Sequence, residues 1–448
     1  MMMHVMKMAA RIWTALAFSV RVVQSQQHPL DSLTADEYEA VVDILTADGR
    51  VTDATRFHQV SLKEPPKSFV KSFRGGDPIP RAAVAYIRSS PGRTCRAEVD
   101  IASRRVVSFD EPDMAEGQPM ILFEEFYGAG EIVKVDERMV EGLEKRGLTP
   151  DDVYCVPFSA GAYGDPDEVG NRLLKIGCFV RPAHDRNVTG NWFARPIQGL
   201  LAVFDLNTDT TLDVVDTGVV TVPTDPWGYT SAEIEERYGK RPLAVARGGR
   251  LLAASSPAVP ADVGYAIDGS VVSWDFWRFH YRVDKRPGVI LSEIEVNDKG
   301  TWRDVAYEAH LSEVFVPYMD PDVCQYYRTY MDSGEYGFGI TMTSLTPGVD
   351  CPKSATFLDS TFHDDFGMPL TLQGTMCVFE RSTGDPAWRH YEWFAQTPDS
   401  SIPADGRPAT ELVFRYASTV GNYDYLVDYI FMQDGTIKVA VGSTGYFL

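Results

Sequence analysis

TVGNYDYLVDYIF, residues 419–431, decides how the C-terminal half of this chain is read. Small, aromatic and apolar residues alternate in it as they do in a strand with one face buried, because successive side chains of a strand point to opposite sides. Yet the run holds three tyrosines, Tyr423, Tyr425 and Tyr429, interleaved with Asp424 and Asp428. Working outward, similar short alternating runs occur on both sides: GSVVSWDFWRFHYRV, GVILSEIEVND, TWRDVAYEAHL, TMCVFER, ATELVFRYAST and IKVAVGS. Turn residues separate them and helical periodicity is almost absent. The spacing predicts a large antiparallel β-sandwich over residues 225–448, and the missing closing element predicts that it is incomplete, with unpaired strand edges.

The first half reads differently. SLTADEYEAVVDILTADG predicts a helix opened by a Thr34/Glu37 capping box, with Tyr38, Val41, Val42 and Leu45 on its apolar face and Gly49 as its stop. Strand runs follow in RAAVAYIRS and in RAEVDIASRRVVSF, the latter with a turn near Ser103. After the linker-like DEPDMAEGQP the pattern repeats: DERMVEGLEKRG as a second helix closed by Gly147, then LLKIGCFVRP and LLAVFDLNTDTTLDVVDTG as strands. The predicted fold class is therefore α+β followed by mainly β. Two small helix-plus-antiparallel-sheet domains, at 28–112 and 118–220, precede the sandwich, and residues 1–27 form a leader or N-terminal extension.

Composition narrows the function classes. The 448 residues are 44% hydrophobic and 12% aromatic, an ordinary globular composition, with a formal net charge of −21. That charge repels phosphate backbones and argues against general nucleic-acid binding. No segment reaches the roughly 20 apolar residues of a membrane span. Lys7 and Arg11 precede the apolar stretch Ile12–Val20, which keeps a secretory leader open, and Asn187-Val188-Thr189 is a glycosylation sequon if the chain is secreted. Location therefore stays open between secreted and peroxisomal or cytoplasmic. Six cysteines without a C-x-x-C pair exclude a zinc ribbon or thioredoxin motif and read mostly as buried small hydrophobes.

Four stretches of the third region carry chemistry together: VPYMDP (316–321), YYRTYMDSGEYGFG (326–339), VDCP…TMCVFE (349–380) and TVGNYDY (419–425). In order and spacing they resemble the catalytic domain of copper-containing amine oxidases, and HPLDSLTADE and LKEPPK near the start resemble that family's first small domain. The resemblance covers roughly residues 28–448. It implies that Tyr423 is the precursor of topaquinone, the quinone that condenses with a primary amine to a Schiff base. It also implies that Asp332 is the base that removes the α-proton. By the same resemblance Tyr318 hydrogen-bonds a quinone oxygen, Asn422 positions the quinone and Tyr330 is the gate of the substrate channel. Cys351 and Cys377 form a disulfide, and the complete protein is a homodimer acting on a small amine and O2 with copper(II) and topaquinone as cofactors. Tyr330 lies two residues before Asp332, so in a strand the two would share a face. Burial in an aromatic pocket would raise the Asp332 pKa toward working pH. Asp424 and Tyr425 read as structural, and Glu335 with its neighbouring glycines as shaping a turn.

The metal site departs from the family pattern. Copper there is held by three histidines, an H-x-H pair after the quinone tyrosine and a third further on. Here no H-x-H occurs, no histidine follows Tyr423, and His363 and His390 lie outside the motif. The expectation is an amine oxidase lacking its copper ligands in this chain, without activity as it stands. Two readings from other classes stay open: a non-catalytic β-sandwich binding protein that keeps the fold, and a hydrolase built on Asp332 and Glu335.

Overall fold

The computed structural model describes residues 28–445 except 91–92, 114–116, 162–167, 169–170, 182–190, 225–227, 229–232, 234–235, 237–263 and 392–404. The leader reading of residues 1–27 and the Asn187 sequon therefore lie outside the described residues.

Helix α1 (Ala35–Ala47) forms where its capping box directs. Glu37 N–H donates to Thr34 Oγ1 at 3.2 Å and Thr34 N–H to Glu37 Oε2 at 2.9 Å, so two otherwise orphan donors are satisfied. Tyr38, Val41, Ile44 and Leu45 are buried, while Val42 is half-buried. The helix stops at Gly49, whose φ of 73° is the left-handed conformation a glycine tolerates. Strand β1 (Arg56–Leu62) follows, then a short helix α2 (Lys67–Ser72) that sequence periodicity did not suggest. Strands β2 (Ala82–Ser90), β3 (Arg93–Asp100) and β4 (Arg105–Asp110) complete a four-stranded antiparallel meander, with the turn near Ser103.

The second unit repeats the plan. Helices α3 (Phe123–Val133) and α4 (Glu137–Glu144) cover strands β5 (Val153–Ser159), β6 (Leu173–Val180), β7 (Pro196–Asp205) and β8 (Thr210–Asp216), again an antiparallel meander. Its core joins Ala129, Val133, Met139 and Leu143 of the helices to Leu174, Ile176, Leu200 and Phe204 of the sheet. Helix α3 was not foreseen in the sequence. It is held by a buried carboxylate: Glu125 accepts from Leu122 N–H at 3.0 Å, from Arg88 at 3.1 Å and from Arg172. Cys155 and Cys178 are direct register partners in β5 and β6 and form a disulfide, which for these two corrects the reading of most cysteines as buried small hydrophobes. Cys95 and Cys324 are free and buried.

The third region is a sandwich of two five-stranded antiparallel sheets. One holds β9 (Tyr265–Asp268), β10 (Val271–Trp274), β11 (Trp277–Asp284), β12 (Gly288–Asp298) and β13 (Thr301–His310). A two-stranded ribbon, β14 (Phe315–Pro317) with β15 (Thr329–Met331), and a one-turn helix α5 (Asp332–Tyr336) connect it to the other sheet. That sheet holds β16 (Thr356–His363), β17 (Pro369–His390), β18 (Asp405–Val420), β19 (Tyr423–Met432) and β20 (Ile437–Gly445). The two inner faces share one core: Trp277 and Phe279 of β11 meet Phe431 of β19, the Phe279 and Phe431 rings stacking at 4.3 Å between centroids.

The opening segment now resolves into a hairpin. Val420 pairs with Tyr423 across a two-residue turn, Gly421-Asn422, and Gly421 has the positive φ (61°) that a II′ turn requires at its first central position. Along β19, Tyr425, Val427, Tyr429 and Phe431 point into the sandwich. Asp428 lies on the opposite face, where Arg415 clamps it with two bonds of 2.6 and 2.7 Å. Tyr423, first on the inward-facing row, therefore sits at the open end of the sandwich, beside the β14–β15 ribbon.

Candidate active site

Two loops and a hairpin turn meet at that end. Tyr318 follows β14, and its N–H donates to Arg328 O at 2.9 Å, extending the ribbon by one rung. Its hydroxyl contacts the Tyr423 hydroxyl. A cavity of about 300 Å³ lies there, lined by Val316, Pro317, Tyr318, Tyr423, Tyr425 and Ser443. Tyr330, on β15, is 6% exposed and packs its ring against Tyr318 at 5.8 Å and against Phe158 of β5 at 5.7 Å. The second small domain thus packs against the ribbon that carries Tyr330. Burial raises the pKa of both Tyr318 and Tyr330, for Tyr318 with a further contribution from its contact with Tyr423. Asn422 stands in the turn, and its carbonyl lies so close to Gly445 of β20 that a Cβ there would come within 2.2 Å. Gly445 also has a φ of 101°, so only glycine fits beside this turn.

Asp332 does not share a strand face with Tyr330. Strand β15 ends at Met331 and Asp332 opens α5, so the expected strand geometry is replaced by a one-turn helix. The cause lies in the glycines. Gly337 has φ 84°, and a Cβ on Gly339 would lie 2.0 Å from Asp284 O. The chain must turn and press against residues 284–286, where Phe338 N–H bonds Arg286 O at 2.7 Å. Asp332 is 3% exposed, and the Tyr425 hydroxyl donates to its Oδ2 at 2.6 Å. Burial pushes its pKa up to about 6, against the lowering effect of the Tyr425 hydrogen bond. Tyr425, read from sequence as structural, is thus bonded to the proposed base.

Glu335 is also more than a turn residue. Its Oε2 is buried without a hydrogen-bond partner, and burial raises its pKa to about 7. Its spacing of three from Asp332 in one helix turn puts both carboxylates on the same side rather than facing across a substrate. That spacing disfavours the two-carboxylate hydrolase reading. Cys351 and Cys377 form a disulfide on the outer face of the second sheet, within a small cluster with Leu345, Phe379 and Val413.

The comparisons agree on the family. Three models match consecutive parts of the chain: the copper amine oxidase N2 domain at residues 28–111, its N3 domain at 124–229 and its enzyme domain at 266–448. A primary amine oxidase of Klebsiella aerogenes is 34% identical over 428 residues, covering 94% of this chain and 53% of the relative. The copper-containing amine oxidase gamma 1 of Arabidopsis thaliana is 33% identical over 433 residues, covering 95% and 58%. The chain thus spans little more than half the length of these relatives. Among solved structures, a copper-containing benzylamine oxidase from Hansenula polymorpha superposes with a TM-score of 0.75 at 22% identity, covering 93% of this chain and 64% of that one. An Aspergillus nidulans amine oxidase gives 0.65 at 21% identity, covering 94% and 60%. At such identities the superpositions speak for the fold alone, and the fold agrees: two small α+β units followed by a large β-sandwich. With all three domain models matched in order, this chain belongs to the copper amine oxidase family.

Proposed function

We propose that the chain is the N2, N3 and quinone-bearing portion of a primary-amine oxidase, RCH2NH2 + O2 + H2O → RCHO + NH3 + H2O2, with Tyr423 as the topaquinone precursor. The observation that carries this reading is that two separated motifs line one cavity, through Tyr318 and Tyr423, while a third reaches its wall at Tyr425 through Asp332. Tyr318 touches Tyr423 through their hydroxyls, and Asp332 is one hydrogen bond from Tyr425 on the same strand. A quinone derived from Tyr423 would supply an electrophilic carbonyl able to accept two electrons from the amine, chemistry that no unmodified side chain offers.

The chain's own residues do the rest. Asp332, deprotonated above about pH 6, accepts the proton from the carbon next to the amine nitrogen. Tyr318 fixes the oxygen at the Tyr423 ring position by hydrogen bonding. Tyr330, packed between Tyr318 and Phe158, narrows the approach and excludes water, and Asn422 holds the ring from the turn. The residues around Tyr423 do not fit a copper site. The cavity is lined by no histidine, and among the described residues no group of three or more His, Cys, Asp or Glu is placed to hold a metal. Copper-dependent steps are therefore assigned to no residue of this chain. Homodimerisation is supported by the ribbon in which β17 and β18 run on beyond the sheet: its residues from Thr383 to His390 are exposed, Trp388 half so, and a two-stranded ribbon is marginal without a surface to lie on.

The first test is to read the coding sequence beyond the Leu448 codon for an H-x-H pair. The second is hydrogen peroxide release and phenylhydrazine labelling of the copper- and oxygen-treated extended protein, with Tyr423→Phe as control. Labelling that survives Tyr423→Phe would overturn the reading.

A further inference from the structure

We propose that Glu313 and Tyr425 are a pair of positioning residues that hold Asp332 from its two ends, one through the backbone and one through the carboxylate. The inference deepens the amine-oxidase reading, on which the role of Asp332 as base rests; the geometry itself does not depend on it.

The backbone end comes from the loop after β13. Glu313 Oε1 accepts from Ser333 N–H at 2.8 Å, and Oε2 from Gly334 N–H at 3.0 Å. These are the first free amides of α5, the donors that a helix start leaves without partners. Asp332 N–H is anchored separately to Val314 O at 3.0 Å, on the residue next to Glu313. The cradle is closely fitted. A Cβ on Gly334 would come within 2.7 Å of Glu313 Oε2, so the glycine of D-S-G-E is what lets a carboxylate sit flat on the two amides. Arg286, bonded at 3.4 Å to Glu313 Oε2, braces the carboxylate from behind. The N-cap position holds Met331, which has no oxygen to offer these amides, so their acceptor must come from elsewhere. Here Glu313 has taken them, and the Asp332 carboxylate is left free to point elsewhere.

The other end comes from β19. The Tyr425 hydroxyl binds Asp332 Oδ2, and Tyr425 is in turn held by stacking on Phe338 at 5.2 Å. Oδ1 has no hydrogen-bond partner among the described residues. One oxygen is thus fixed and one is available.

The two devices act on the proton in opposite directions. Tyr425 donates to the charged form and favours it, whereas the negative Glu313 disfavours it, both against a background of burial that disfavours it most. Other groups face Asp332 without bonding it. Glu335 lies on its own helix, Tyr336 closes that helix, Tyr318 comes from the ribbon, and Tyr423 borders Tyr425 on β19. Among the described residues only Tyr425 hydrogen-bonds the carboxylate, and only Glu313 holds the amides beside it.

The test is an infrared pH titration of the 448-residue chain, with the Asp332 carboxyl band identified by difference against Asp332→Asn. The wild-type midpoint is expected near pH 6. Tyr425→Phe should move it up and Glu313→Gln should move it down, each by about one unit, the size of one charge-assisted hydrogen bond or one close like charge. Gly334→Ala, which pushes Glu313 off the amides, should also lower it. Glu313→Gln keeps one acceptor oxygen, which in the Oε1 place lies within reach of both amides, so the downward shift remains measurable if Tyr425→Phe disturbs packing. Midpoints unchanged within a few tenths of a unit, or moving the same way in Tyr425→Phe and Glu313→Gln, would overturn the proposal. The titration needs neither quinone nor turnover. A failed amine-oxidase reading would instead show as normal turnover in Asp332→Asn with these shifts intact.

Discussion

Replacing Glu335 by glutamine should stabilise the catalytic domain, and only at neutral and alkaline pH. Glu335 sits in α5 with Oε2 buried and unpartnered, and burial raises its pKa from 4.5 to about 7. A folded-state pKa above the ordinary value means that the native protein binds the proton more tightly than the unfolded chain. The contribution is therefore fully present below pH 4.5, where both states are protonated, and is lost as pH rises through 7. The rise of about 2.5 units, at roughly 1.36 kcal/mol per unit, sets a ceiling of ~3 kcal/mol on the cost of the charged form. Glutamine has nearly the same shape and no charge to bury. At pH 8.5 the variant should melt higher by roughly 6–12 °C in the transition of the sandwich, at 2–4 °C per kcal/mol for a domain of this size. At pH 4 the two proteins should melt together. The assay is differential scanning calorimetry across that range, read as the difference between variant and wild type so that the other titrating groups cancel. A difference that is flat with pH, or larger at pH 4 than at pH 8.5, would refute the argument.

On the proposed reading, Asp332→Asn and Tyr423→Phe should fail differently in the extended, copper- and oxygen-treated protein. Asp332→Asn should retain phenylhydrazine labelling while losing on the order of 10²–10⁴ in turnover, the usual worth of a positioned base, and Tyr423→Phe should lose labelling altogether. Mutation of Cys155 and Cys178 together to serine should lower the stability of the second small domain by about 3 kcal/mol, since the bond closes a loop with a sequence separation of 23; denaturant unfolding followed by domain-specific proteolysis reads this. Among the described residues strand β20 pairs on one side only, with Val439 and Val441 exposed, so the chain should associate at high concentration. Val439→Lys should reduce that association in sedimentation velocity, and a wild-type chain that stays monomeric would contradict it.

Local signals were legible in the sequence wherever one residue's chemistry decides a local conformation. Thr34 and Glu37 cap α1 because both partners lie within one turn, and Gly49 and Gly147 stop their helices because each adopts a positive φ. Alternation placed β10–β12 and β17–β19 because one face of each is buried against the opposite sheet, and it marked β13 and β20 as well, although neither buries a side chain fully. Helix α3 was missed for the complementary reason. Its anchor is Glu125, whose partners Arg88 and Arg172 lie 37 and 47 residues away, and no window of local sequence contains them. The Cys155–Cys178 bond was missed likewise, since it follows from the register of β5 on β6 across a long connection rather than from spacing.

The same distinction explains which parts of the site could be read. Asp332, Tyr423 and Tyr318 were legible because they sit in motifs, but how they are held is a matter of tertiary distance. Tyr425 reaches Asp332 across 93 residues, and nothing in the alternation of β19 separates it from Tyr429, whose hydroxyl serves backbone groups of the sandwich instead. Asp332 was placed on a strand face because Thr329–Met331 reads as one, and the helix that replaces it depends on contacts of Gly337 and Gly339 with residues 284–286. Glycines in D-S-G-E-Y-G-F-G do carry a readable signal: three in six residues mark close backbone approach rather than a strand. Taken with the Gly421-Asn422 hairpin turn, they show how the site is built. Tyr423 stands two residues after Gly421 and Asp332 two before Gly334, and the sandwich core fixes where the two turns meet.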